Sequence, residues 1–137
     1  MADQIEYWLD LADYDLGVAK TMLKNKHWLY VGFMCHQVIE KALKAVISRD
    51  ESLPPKIHDL AKLAVCSGLM DVMSEAQQDF IETLNPLNIE ARYPKYKDSL
   101  AQNLGSAVCR QILKETEGLL CWIKEQLYPE PSNTPSG

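Results

Sequence analysis

Three groups of residues in this 137-residue chain have side chains that could do chemistry. The first is the run Arg92-Tyr93-Pro94-Lys95-Tyr96-Lys97, which interleaves three cations with two aromatic rings. Cations hold phosphates, and ring faces stack on bases. A guanidinium can grip a phosphate with two parallel hydrogen bonds, which an ammonium cannot do. The plainer reading is a solvated loop whose Tyr rings pack on the protein and whose Pro fixes a turn. The second is His58, followed by Asp59 and an apolar-periodic stretch. Near the start of a helix it would suit anion recognition. As an imidazole it could serve as a general acid or base. The plainer reading here is a capping or core-edge His with one backbone hydrogen bond.

The third group is a polar stripe. At about 100° per residue, His36, Gln37, Glu40, Lys41 and Lys44 share one narrow arc of a helix. The surrounding positions, including Phe33, Met34, Val38, Ile39, Ala42, Leu43, Ala45 and Val46, are apolar. A helix apolar over most of its circumference is the buried centre of a bundle. Charges there are costly unless paired, so the stripe must face a partner, a ligand or solvent. Glu40 and Lys44 stand four apart in the favourable order, which contributes a few tenths of a kcal/mol and is the bland alternative. A single site built from all three groups requires His58, Arg92 and the stripe to converge in space.

Composition narrows the chemistry. The formal net charge is -5, so the whole molecule is not a generic nucleic-acid binder. Acids gather in Asp3, Glu6, Asp10, Asp13 and Asp15 and again over 71–90, while bases gather over 41–62 and 92–97. A local basic face is therefore expected on an acidic protein. Cys35, Cys66, Cys109 and Cys121 form no C-x-x-C pair and lie in apolar helical surroundings, which predicts buried free thiols in a reducing compartment. His27, His36 and His58 have no ligand spacing to Asp, Glu or Cys, so no metal is expected. Asp10-x-x-Asp13-x-Asp15 lacks the glycine and terminal Glu of a calcium loop. There is no Gly-rich phosphate loop and no Ser-His-Asp arrangement, and no cofactor is expected. No apolar run reaches the roughly 18–20 residues that span a bilayer, and no signal peptide is evident. A soluble, cytoplasmic protein is the expectation.

The elements that position these residues are all helical. Ile5, Trp8, Leu9, Ala12, Leu16, Ala19 and Leu23 recur at three and four and predict a helix over 3–25. A short break at Asn25-Lys26 leads into a second helix from about 27 or 28 to 48, so the two should form an antiparallel hairpin. Pro54-Pro55 cannot sit in a helix interior. A short third helix then opens around Ile57–Leu60 and stops near Gly68, a C-terminal cap. Ser74-Glu75-Ala76-Gln77 reads as a capping box, and Asn85-Pro86 should kink or end the helix it starts. Residues 88–97 read as an irregular link. A last helix is expected from Asp98 or Ser99 to about Leu127, with an apolar face of Leu104, Val108, Ile112, Leu119, Leu120, Ile123 and Leu127. Trp8, Trp28 and Trp122 read as core or interface fillers. The architecture expected is an all-α, up-and-down bundle of four main helices plus a short extra one over residues 1–128. The Pro/Ser-rich tail, 129–137, should be disordered.

The layout Gln37-x-x-Glu40-Lys41-Ala42-x-Lys44-Ala45, then His58-Asp59-Leu60, then Ala91-Arg92-Tyr93-Pro94, resembles the HEPN domain (higher eukaryotes and prokaryotes nucleotide-binding). Trp8-x-x-x-Ala12-x-x-Asp15-Leu16-x-x-Ala19 looks like that family's first helix. The resemblance covers about residues 5–127. It implies a helical bundle that forms a homodimer with a groove between subunits and binds nucleotide or RNA. It also implies, for stand-alone prokaryotic members, pairing with a minimal nucleotidyltransferase in a toxin–antitoxin-like system. Other members are metal-independent ribonucleases that use Arg-x(4–6)-His. This chain departs from that pattern: no His follows Arg92 or Arg110 at any spacing, and His58 is too far from Arg49. Binding therefore gains weight over cleavage. The candidate ligand residues are Gln37, Glu40, Lys41, Lys44, His58, Arg92, Tyr93 and Lys95. The alternatives are a diverged ribonuclease and a non-catalytic protein-interaction bundle.

Overall fold

A computed structural model describes residues 2–91 and 104–129. The described residues form five α-helices joined by turns and short 3-10 segments. These are α1 (Ala2–Lys24), α2 (Trp28–Ile47), α3 (Leu60–Ser67), α4 (Glu75–Leu84) and α5 (Ser106–Leu127). The Arg92–Lys97 run and the tail beyond Pro129 lie outside the described residues.

The axis of the bundle is α2. Val31, Cys35, Val38, Ile39, Ala42 and Leu43 are fully buried along it, and α1, α3, α5 and the 3-10 segment Asn85–Ala91 all pack against it. Leu9, Ala12, Leu16 and Ala19 line the inner face of α1, as the three-and-four spacing predicts. The chain reverses between α1 and α2 through Lys26, which takes a left-handed backbone at φ 63, and the His27 N–H donates to the Met22 carbonyl at 2.9 Å. Gly32 lets the 3-10 segment approach closely. A Cβ there would meet Leu87 Cδ1 at 2.9 Å.

Several boundaries follow the sequence signals and two do not. Gly68 closes α3 at φ 80, and Ser74 with Gln77 forms the capping box reciprocally. Asn85-Pro86 ends α4, but the chain then continues as a 3-10 helix through Ala91, so the first part of the expected irregular link, 88–91, is helical. α3 begins at Leu60, because the Asp59 carboxylate caps it there. α5 begins at Ser106, because Gly105 immediately before it is extended at φ -117, ψ -173. Val108, expected on the apolar face, is instead exposed.

All four cysteines are free, but only Cys35 and Cys109 are buried. Cys66 and Cys121 are exposed, on the outward faces of α3 and of α5. Burial pushes the Cys35 thiol up to about 12 and that of Cys109 up to about 11. No helix among the described residues is long and apolar enough to cross a membrane.

Candidate functional site

Glu40 is the centre of the polar stripe. It points from α2 toward the segment that leads into α3, and its side chain is 3% exposed. One carboxylate oxygen accepts from Lys44 Nζ at 3.0 Å. Both oxygens lie near His58 Nδ1, at 3.0 and 3.1 Å. Burial alone would raise the Glu40 carboxyl, but the hydrogen bonds and charge of Lys44 and His58 outweigh it and hold it below the usual range. Lys44 is itself buried and lies 5.6 Å from the Trp8 ring centroid, a cation–π distance. Trp8 is therefore a wall of the site as well as a filler.

His36 lies one turn earlier on α2, fully buried, with Nδ1 3.7 Å from Glu40 Oε1. Neither ring nitrogen reaches a hydrogen-bond partner. Burial pushes its pKa down to about 4 against the opposing charge of Glu40, so the ring is neutral at pH 7. The contact with Glu40 is thus between a carboxylate and a neutral imidazole, not an ion pair.

The other half of the stripe faces the α1 side and the 3-10 segment. Lys41 Nζ donates to Gln37 Oε1 at 3.0 Å and lies 3.6 Å from Asp15 Oδ2 on α1. Gln37 Nε2 donates to Asn88 Oδ1 at 3.0 Å. Burial raises the Asp15 carboxyl and Lys41 opposes only part of that rise.

His58 is half exposed and lines a cleft of about 460 Å³ together with Asp59, Glu82, Asn85 and Pro86. The helix start beside it does not offer the anion site that the sequence suggests. Asp59 Oδ1 accepts from the N–H groups of Ala61 and Lys62, and Asn85 Oδ1 accepts from Leu60 N–H at 2.9 Å. The donors an anion would need are already used. Asn85 Nδ2 also donates to Asp59 Oδ1, and this bond, helped by the Lys62 and Ala61 N–H groups, holds the Asp59 carboxyl below its usual range against the opposing effect of burial.

The structure therefore brings His58 to Glu40 and Lys44, with Gln37 and Lys41 on the neighbouring turn. Arg92, Tyr93 and Lys95 lie outside the described residues, so their part of the convergence is untested. Both Lys of the stripe are already engaged, Lys44 by Glu40 and Lys41 by Gln37 and Asp15. Sequence reasoning missed Asn85 as a site residue, because an Asn beside a Pro reads first as a helix breaker, and missed Asn88, because it falls in a stretch that reads as an irregular link. Asp15 had a signal, since it belongs to the first-helix pattern. Among the described residues no three His, Cys, Asp or Glu side chains gather as metal ligands.

This is a helical bundle whose central helix carries a buried acid, hydrogen-bonded to a Lys on its own face and to a His from the following link. The chain belongs to the HEPN domain family, whose model matches residues 5–126. It is similar in fold to the crystal structure of TT1696 from Thermus thermophilus, with a TM-score of 0.74 and 20% sequence identity over 90% of this chain and 98% of that one. None of the curated proteins matches it.

Proposed function

We propose that this chain is a HEPN-domain module that binds nucleotide or RNA at the His58 cleft. In this reading it acts in the cytoplasm as a homodimer and as the partner of a nucleotidyltransferase in a toxin–antitoxin-like pair. The observation that carries the reading is the meeting of His58 with Glu40 and Lys44 at a cleft, in a family associated with nucleotides and RNA.

The lining favours one part of such a ligand over another. The His58 ring, the Asn85 amide and the carboxylates of Asp59 and Glu82 can exchange hydrogen bonds with base edges and ribose hydroxyls. Two carboxylates disfavour a phosphate against this wall. Phosphate contacts then fall to Arg92 and Lys95, with Tyr93 offering a stacking face.

The test is a titration with ATP, GTP and a short RNA, following thermal stability. A ligand at a hundred times its dissociation constant adds about 2.7 kcal/mol. The expected result is a shift in the wild type that is reduced in both His58→Ala and Arg92→Ala, most clearly with the short RNA, which carries no linked phosphoryl groups. No shift with any of the three ligands would sink the reading and leave a protein-interaction bundle.

One observation favours a second reading, a diverged metal-independent ribonuclease. Glu40 engages Nδ1 of His58, which leaves Nε2 to face the cleft, where a general acid or base would have to act. Cleavage of RNA that disappears in His58→Ala would support that reading over binding alone.

A further inference from the structure

Among the described residues, a cluster of unpaired positive charge lies at the start of α2. A cleft of about 530 Å³ is lined by Lys20, Leu23, Lys24, Lys26, Trp28, Ser106 and Arg110. Four of these are cations and none is an acid, in a chain of net charge -5. Lys20 is paired with Glu117 at 3.1 Å. Lys24, Lys26 and Arg110 have no ion pair with any described residue.

Local stabilisation does not account for this cluster. Lys24 lies at the C-terminal end of α1, where a cation complements the helix dipole. Arg110 gains nothing of that kind. Lys26 comes two residues before the start of α2, and Arg110 lies in the second turn of α5. Arg110 is near a positive helix end, where a further cation is unfavourable, and Lys26 stands between the negative end of α1 and the positive end of α2.

Both of those helix ends open on the cleft through Trp28 and Ser106, the first residues of α2 and α5. Neither end has a side-chain cap: His27 and Gly105 make none, whereas Asp59 and Ser74 close α3 and α4. The Cys109 thiol, 3.5 Å from the Trp28 carbonyl, holds the two ends together. A multiply charged anion would neutralise the three unpaired cations and accept from the free N–H groups of two helices at once.

We infer that the cleft between the starts of α2 and α5 is a second ligand site, one that takes an anion with two or more linked phosphoryl groups. It does not depend on the His58 cleft. Glu40 lies twelve residues further along α2, about 18 Å at the helical rise.

Inorganic tripolyphosphate is the probe, titrated by calorimetry into the full chain at low and high salt. The expected result is one ion per chain, with affinity that falls steeply as salt rises. Lys24→Glu combined with Arg110→Glu should weaken it by about tenfold or more, the scale of one or two lost charged hydrogen bonds. Lys26→Gly should weaken it as well. This variant is safe for the fold, since glycine suits the left-handed backbone at that position. His58→Ala should leave it unchanged. Loss of tripolyphosphate binding in His58→Ala would place the ion in the other cleft and overturn the inference. So would the absence of binding to the wild type at low salt, or undiminished binding in a folded Lys26→Gly variant.

Discussion

Glu40 holds His58 Nδ1 within 3.1 Å of both its carboxylate oxygens while one of them also accepts from Lys44. One buried negative charge thus serves two donors from different parts of the chain. Lys44 depends on it, because at 9% side-chain exposure its ammonium has little access to water. Glu40→Gln should therefore destabilise the protein by about 3 kcal/mol, the usual cost of leaving one partner of a buried pair uncompensated. Adding Lys44→Met should recover most of that loss, since apolar replacement of a whole buried pair is often neutral. Urea unfolding of the single and double variants checks this. Equal losses in both would show that Lys44 does not rely on Glu40. The Glu40 carboxyl lies below its unfolded value, so its contribution is complete above about pH 4.3 and is lost as pH falls through the lower folded value.

His36 sets a second and higher acid limit. Its folded pKa of about 4 lies below the unfolded value of about 6.5, so the unfolded chain binds the proton more readily. The contribution to stability is complete above about pH 6.5 and is lost as pH falls toward 4, amounting to about 3 kcal/mol. His36→Leu removes the titration and two unsatisfied buried nitrogens. The variant should be more stable than wild type at pH 5, with a flatter profile between pH 4.5 and 6.5. Chemical melts across that range decide it, and a wild-type profile already flat there would refute the assignment.

Gly32 controls how close the 3-10 segment sits. Val in its place should cost about 2 kcal/mol by forcing Leu87 aside, despite the better helix preference of a residue with a side chain. In a Leu87→Ala background the same change should cost much less, because the truncation makes the room that valine needs. Additive losses in the double variant would mean that Gly32 is not shaped by Leu87.

Much of the bundle was legible in the sequence because its signals are local. The apolar spacing in α1, the Pro54-Pro55 block, Gly68 and the Ser74 capping box each act within a few residues. The start of α5 was misread because the apolar pattern around Leu104 outweighed the single Gly105, whose extended backbone lies directly before the helix. The stripe was legible as an arc, and Glu40–Lys44 as a pair. What stripe periodicity could not reveal was the partner set: His58 comes 18 residues after Glu40, and Asn85 comes 25 after Leu60. The cation-lined cleft was hidden for the same reason, since Arg110 joins Lys24 and Lys26 only through the packing of α5 near the α1–α2 turn. Helix-start reasoning also placed the anion preference at His58, where side-chain caps consume the donors, and not at α2 and α5, where the donors stay open.

Asn85 touches both walls of the His58 cleft. It ends α4, and its amide bonds both Leu60 N–H and Asp59 Oδ1 at the head of α3. Neither wall can shift without breaking those bonds, so the cleft has its shape before anything enters it. A ligand there would pay little ordering entropy, and selection would rest on fit to a standing shape more than on closure around the guest.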